Sequence, residues 1–196
     1  MGRLVPAARS CFDCGMKSEF DLSTELKRFG DRYPQHAADV AMFQSFLNLQ
    51  PAPFERDTQV GHFTGSVWLV SLDGQSCLLT HHRKLNRWLQ LGGHADGDAD
   101  LARVALREAE EESGLSGLLL VPEIFDLDRH QIPARGEMPA HWHYDVRFVV
   151  RAEGEQQFVV SDESHDLAWV RIDQIMDDPE ADESLRRMAR RWQSRG

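Results

Sequence analysis

Three glutamates, Glu108, Glu111 and Glu112, stand at positions i, i+3 and i+4, so a helix places their carboxylates on one face. Like charges that close destabilise a bare helix and raise one another's pKa values. A hard divalent cation with oxygen ligands removes that penalty, whereas without an ion the same run is an ordinary solvated acidic face. Two neighbours favour the first alternative. Gly92-Gly93 precedes the helix and lets the backbone approach a ligand closely. Arg107 stands beside the carboxylates, placed to orient them.

The chain also carries nine histidines. His62 opens an apolar segment and His94 follows the double glycine, while His141 and His143 alternate with Asp145 and Arg147. In a strand those last four share one face. Imidazole is a good ligand for Zn²⁺, Fe or Mn. Two readings of His62, His94, His143 and Asp145 stay open: a pocket with a second, transition metal, or hydrogen-bonded sheet and loop residues, some touching substrate. A basic turn, His81-His82-Arg83-Lys84, leads to Arg87 and Trp88. Arg83 and Arg87 are candidates to meet substrate phosphate and Trp88 to stack on a base. The alternative is a solvated hairpin end with Trp88 in the core. Three cysteines are too few for a disulfide framework, and the lone Cys11/Cys14 pair is half a zinc site.

Periodicity gives the elements that must hold these groups. Leu22, Leu26 and Phe29 fall at helical spacing, with Gly30 and Pro34 as a stop. Gln35 to Leu49 sets Val40, Phe43, Phe46 and Leu47 on one stripe, and Pro51 and Pro53 mark a linker. Residues 62–72 and 76–80 read as strands joined at Asp73-Gly74, and Trp88 to Leu91 as a short strand. Asp100 to Ser113 is the glutamate-bearing helix, capped by Asp98 or Asp100 and stopped by Gly114. Residues 117–128, 141–151, 156–160 and 167–172 are further strand candidates, 131–140 a loop, and 181–195 an arginine-rich helix. Such an order gives a mixed sheet sandwiched between helices, an α/β fold. The expected organisation is a leader over residues 1–15, a helical extension over 16–55 and the main domain over 56–196, with Met16 an alternative start.

At 196 residues, with 41% hydrophobic and 28% charged side chains, the chain fits one soluble globular domain with a small appendage. It lacks the ~20-residue apolar run of a membrane span and a secretory signal, so the cytoplasm is the expected location. A net charge of −10 opposes binding to nucleic acid. It allows a small phosphorylated substrate when divalent cations stand between carboxylates and phosphate. The tail arginines read as the wet outer face of a packed helix.

The segment from Gly93 to Leu115 resembles the Nudix box, G-x5-E-x7-R-E-U-x-E-E-x-G-U with U aliphatic. Gly93, Arg107, Glu108, Glu111, Glu112, Gly114 and Leu115 stand at matching positions and Ala109 takes the first U. Ala99 replaces the first Glu, flanked by Asp98 and Asp100. The resemblance runs from about Val60 to Ile175 and implies a Nudix-like α/β/α sandwich. It implies hydrolysis of a nucleoside diphosphate linked to another group, with Mg²⁺ or Mn²⁺ held by Glu108, Glu111, Glu112 and a backbone carbonyl of Gly92 or Gly93. Arg107 then orients the carboxylates, and its support is what the change at Ala99 touches. A general base from the loop 161–166 is implied too, Glu163 first and Asp162 next. A narrower similarity, to isopentenyl-diphosphate isomerase, sets His62, His94, His143 and Asp145 at or beside metal-binding positions of that enzyme. Its catalytic cysteine falls on Gly92, so isomerase chemistry is not implied. The competing class is a non-catalytic sensing or interaction module, with residues 16–55 as a docking pair; those helices otherwise cover the core or form a homodimer interface. The intact glutamates favour the hydrolase.

Overall fold

Asp21 starts the first helix, α1 (Leu22–Arg32), by accepting a hydrogen bond from the Thr24 amide at 2.9 Å. A 3-10 turn at Pro34–His36 leads into α2 (Ala37–Leu49). This computed structural model describes residues 20–83, 85–136, 138–154, 156–160 and 164–195. The expected leader, Cys11, Cys14, Met16, Asp162 and Glu163 lie outside the described residues.

The strands that follow are β1 (Gly61–Val70), β2 (Ser76–His82), β3 (Arg87–Leu89) and β4 (Leu91–His94). After α3 (Leu101–Ser113) come β5 (Leu118–Ile132), β6 (His141–Ala152) and β7 (Ser164–Arg171). Two helices, α4 (Ile172–Asp177) and α5 (Glu183–Gln193), close the chain. They make a seven-stranded sheet of order β3-β2-β1-β6-β5, with β4 also on β1 and β7 also on β2. The β1–β6 pair is parallel and the others are antiparallel, so the sheet is mixed, as expected.

Helices cover both faces. On one, α1, α2 and α3 bury Leu26, Phe29, Phe43, Phe46, Leu101 and Val104 against Phe63, Val67, Val146 and Phe148. On the other, α4 and α5 bury Ile172, Leu185 and Met188 against Trp68, Phe125 and Val149. Phe46 stacks on Tyr144 with ring centroids 3.9 Å apart, so the first two helices are part of the core rather than a separate appendage. Close approach of α3 depends on Gly65, where a Cβ would come within 2.9 Å of the Leu101 carbonyl.

Three local expectations change. Residues 156–160 form no strand: the Val159 amide donates to the Ser113 carbonyl and the Trp169 indole to that of Gln156. β5 is longer than expected and extends to Ile132. It survives Pro122, which has no amide to donate, by shifting register between Val121 and Ile124. Finally, Leu91–His94 is itself a strand, paired with β1.

Candidate functional site

The glutamate helix begins where Asp100 accepts the Arg103 amide (3.0 Å) and ends at Gly114, which takes the left-handed conformation a glycine tolerates best (φ 66°). Along it, Ala102, Ala105 and Ala109 face the core, which leaves the carboxylates at its outer edge. Gly93 is paired with Gly65, and the Glu108 carboxylate lies so close to it that a Cβ would collide with both carboxylate oxygens. Arg107 holds the same carboxylate by an Nη2 bond to Glu108 Oε1 at 3.0 Å. Its Nη2 also donates to the His94 carbonyl at 3.3 Å. The Gly92 amide donates to Glu112 Oε1 at 3.0 Å. Gly92 and His94 therefore turn backbone groups toward the edge of β4 away from β1, and side chains of α3 close that edge. Glu111 is exposed on the same helical face.

These observations fit a divalent ion held by oxygen. The donors are carboxylates at helical spacing, and two of them are already oriented by the double glycine and Arg107. The substitution at Ala99 leaves the seat in place. Asp98 receives Arg103 at 2.6 and 2.9 Å and the Asp100 amide at 2.9 Å, and it reaches Arg107 only through its field.

On the opposite face of β4 the chemistry changes from oxygen to nitrogen. Strand pairing sets His62 beside His143, Thr64 beside both His94 and Asp145, and Ser66 beside Arg147. It sets His130, Asp128 and Asp126 opposite His143, Asp145 and Arg147. Partners across a sheet share a face, so these residues form one polar lane. The ring centroid of His62 is 5.0 Å from that of His94, 5.1 Å from His141 and 4.8 Å from His143. Burial, and then the charges of His94 and His141, push the His62 pKa down to about 4. Burial and its histidine neighbours push His143 down strongly as well, so both imidazoles are neutral near pH 7.

Asp145 parts company with the histidines. Its Oδ1 accepts from Thr64 (2.9 Å) and Ser66 (2.7 Å), and its Oδ2 from Arg147 (2.7 Å) and Gln90 (3.3 Å). Arg147 is buried and also faces Asp126 (3.6 Å) and Asp128 (3.3 Å). Arg187 and Arg191 of α5 complete the network through Asp126 at 2.6 and 2.8 Å. Burial pushes the Asp128 carboxyl up, but His130, Arg147 and Arg187 outweigh it and hold the pKa well below the usual range.

The structure brings Arg107, Glu108, Glu112 and Gly93 together and gathers His62, His94 and His143 into a second group. Arg83 is exposed in its turn, and Arg87 reaches Asp182 at 2.8 Å. Trp88 is partly exposed and stacks on His81. Sequence reading missed Thr64, Ser66, Gln90 and the Asp126/Asp128/His130 side of the lane. Period-two alternation in residues 62–66 and 126–130 was the available signal. It also missed a cleft of about 250 Å³ lined by Arg56, Asp57, Thr58, Gln59, Met138, Pro139 and His141. Arg56 is paired there with Asp96 at 2.5 Å.

The fold is a mixed sheet between helices, with the glutamates of α3 set against a double glycine. A family profile of the NUDIX domain matches residues 62–192, and the chain belongs to the Nudix hydrolase family. Its fold is similar to that of an Ap4A hydrolase from C. elegans, with 15% identity, a TM-score of 0.54 and coverage of 67% of this chain and 95% of that one. It is similar as well to a MutT protein from Methanosarcina mazei Go1, with 16% identity, a TM-score of 0.55 and coverage of 70% and 96%. The corresponding values for E. coli dihydroneopterin triphosphate pyrophosphohydrolase are 15%, 0.54, 68% and 96%. No curated protein matches the chain.

Proposed function

We propose that the chain is a Mg²⁺- or Mn²⁺-dependent pyrophosphohydrolase that cleaves a nucleoside diphosphate linked to another group. One observation carries this: the Glu108 carboxylate is seated on Gly93, and Glu112 is tied to the Gly92 amide, beside an exposed Glu111. Two of the similar structures are named for Ap4A and for dihydroneopterin triphosphate, both phosphoric anhydrides, which supports the substrate class. A bound ion of this kind supplies charge neutralisation at phosphate oxygens and a more acidic water.

The chain's own residues prepare that chemistry. Glu108, Glu111 and Glu112 would hold the ion, with the backbone carbonyl of Gly92 or Gly93 adding one more ligand. Arg107 is a positioning residue, holding Glu108 and the His94 carbonyl with one guanidinium. The general base comes from residues 162–163, just ahead of β7 in the sequence, with Glu163 preferred to Asp162. Arg83 and Arg87 meet phosphate of the rest of the substrate. The enzyme acts in the cytoplasm in this reading, on a small molecule, and a homodimer is compatible with it. Among the described residues no helix is long and apolar enough to cross a membrane.

The test is phosphate or nucleoside monophosphate release from nucleoside diphosphate sugars, ADP-ribose, dinucleotides and nucleoside triphosphates, with Mg²⁺, with Mn²⁺ and with chelator. Metal-dependent turnover of one class is expected. No turnover of any, with a substrate-like ligand still bound, favours the sensing module.

A further inference from the structure

We propose that His62, His94 and His143 form a second metal centre, which binds one divalent transition ion such as Zn²⁺ through three imidazole nitrogens. Their ligating atoms already lie within 4.8 Å of one another. Each comes from a different strand of the same sheet, β1, β4 and β6, so the site stands on rigid elements rather than on loops. His62 is 1% exposed. Neither of its ring nitrogens, nor Nε2 of His143, has a hydrogen-bond partner among the described residues. A buried ring with both nitrogens unsatisfied calls for a partner. Zinc–nitrogen bonds of about 2.0–2.1 Å in a tetrahedral shell hold the nitrogens roughly 3.4 Å apart, so small rotations of the rings close the site.

The choice of ion follows from what the site lacks. Asp145, a buried carboxylate two residues along β6 from His143, is held by Thr64, Ser66, Gln90 and Arg147. Three nitrogens without a carboxylate suit Zn²⁺, Co²⁺ or Ni²⁺ and are poor ligands for Mg²⁺ or Ca²⁺, which require oxygen. This donor set is unlike that of the glutamate helix on the other face of β4, and the two centres select different ions. Three protein ligands leave a fourth position open. His141, which lines the cleft with Arg56, packs against both His62 and His143. A hydrogen bond of 3.0 Å between its Nδ1 and the Pro139 carbonyl fixes its ring. A ligand entering that cleft therefore meets Arg56 and His141, and His141 stands against two members of the histidine centre.

The experiment strips the purified full chain with chelator and dialyses it against Co²⁺ or Zn²⁺ in a large excess of Mg²⁺. Bound metal is then measured in the wild type, Glu111→Gln, His94→Gln and His143→Gln, and thermal melts confirm that each variant is folded. The wild type and Glu111→Gln are expected to keep one transition ion, with visible Co²⁺ absorption of a four- or five-coordinate nitrogen site. The two histidine variants are expected to bind it about 10–100-fold more weakly. If those variants do not fold, the wild-type arm decides. A wild type that keeps no Co²⁺ or Zn²⁺ under excess Mg²⁺ overturns the proposal. So does a Glu111→Gln protein that loses the ion while folded histidine variants retain it. Neither result bears on hydrolysis, which is read from turnover.

Discussion

On one side of β4, Gly93 receives the Glu108 carboxylate; on the other, His94 faces His62 and His143. The glutamates are oriented by backbone and guanidinium donors and stand at the surface, with Glu111 open to solvent. The histidines are crowded and partly buried, and His62 and His143 have ring nitrogens without a hydrogen-bond partner among the described residues. An unsatisfied buried polar group costs about 1–3 kcal/mol, a cost that a bound ion removes and that the surroundings of the histidines otherwise offset. Those surroundings are ionic: Arg147, Arg187 and Arg191 interlock with Asp126, Asp128 and Asp145 beneath the same face. One side of the strand spends its hydrogen bonds on the carboxylates themselves, the other on the floor beneath the imidazoles.

The largest expected effect comes from breaking that floor. Asp126 is fully buried and faces three arginines, so Asp126→Asn leaves buried positive charge poorly compensated. It should destabilise the protein by about 3–5 kcal/mol in urea denaturation; a loss under 1 kcal/mol would mean the lane is not structural. Gly93→Ala addresses the other side. Its methyl displaces Glu108, so turnover should fall about 10–100-fold with little change in melting temperature. Unchanged turnover would show that the seat is not needed.

How much of this was legible in the sequence differs between the two sides. Glu108, Glu111 and Glu112 lie within one helical turn or so, and their common face follows from spacing alone. The histidine face is assembled from four strands. Alternation placed His141, His143, Asp145 and Arg147 together, as found, but nothing in β6 itself said that Asp145 would be claimed by Thr64 and Ser66 of β1. That depends on a parallel β1–β6 register, which no local pattern encodes. The helical character of residues 22–49 was legible too. Their place in the core was not, because it depends on Phe43 and Phe46 meeting Phe63 and Tyr144 across the fold.

Two smaller effects sharpen the contrast. Asp128 has a depressed pKa in the folded protein, so it stays ionised where the unfolded chain takes up a proton, near pH 3.9. Its contribution to stability is complete above about pH 4–5 and is lost as pH falls through the folded value. Urea midpoints between pH 6 and pH 2.5 should therefore fall less steeply in Asp128→Asn than in the wild type; parallel curves would remove Asp128 from the network. Arg87 and Asp182 form an ion pair at the surface, and Arg87→Ala should cost less than about 1 kcal/mol. With stability so little changed, a rise in KM reports contact of Arg87 with substrate, and an unchanged KM removes it from the substrate surface.

The most direct test of the central claim is the Mg²⁺-dependent hydrolysis of the preferred nucleoside diphosphate compound by the wild type and by folded Glu111→Gln, each assayed at saturating substrate. Exposed Glu111 makes no contribution to the core, so its loss should lower kcat by on the order of 10²–10³-fold and leave the melting temperature unchanged. Equal kcat values for the two proteins would contradict the assignment of catalysis to the glutamate helix.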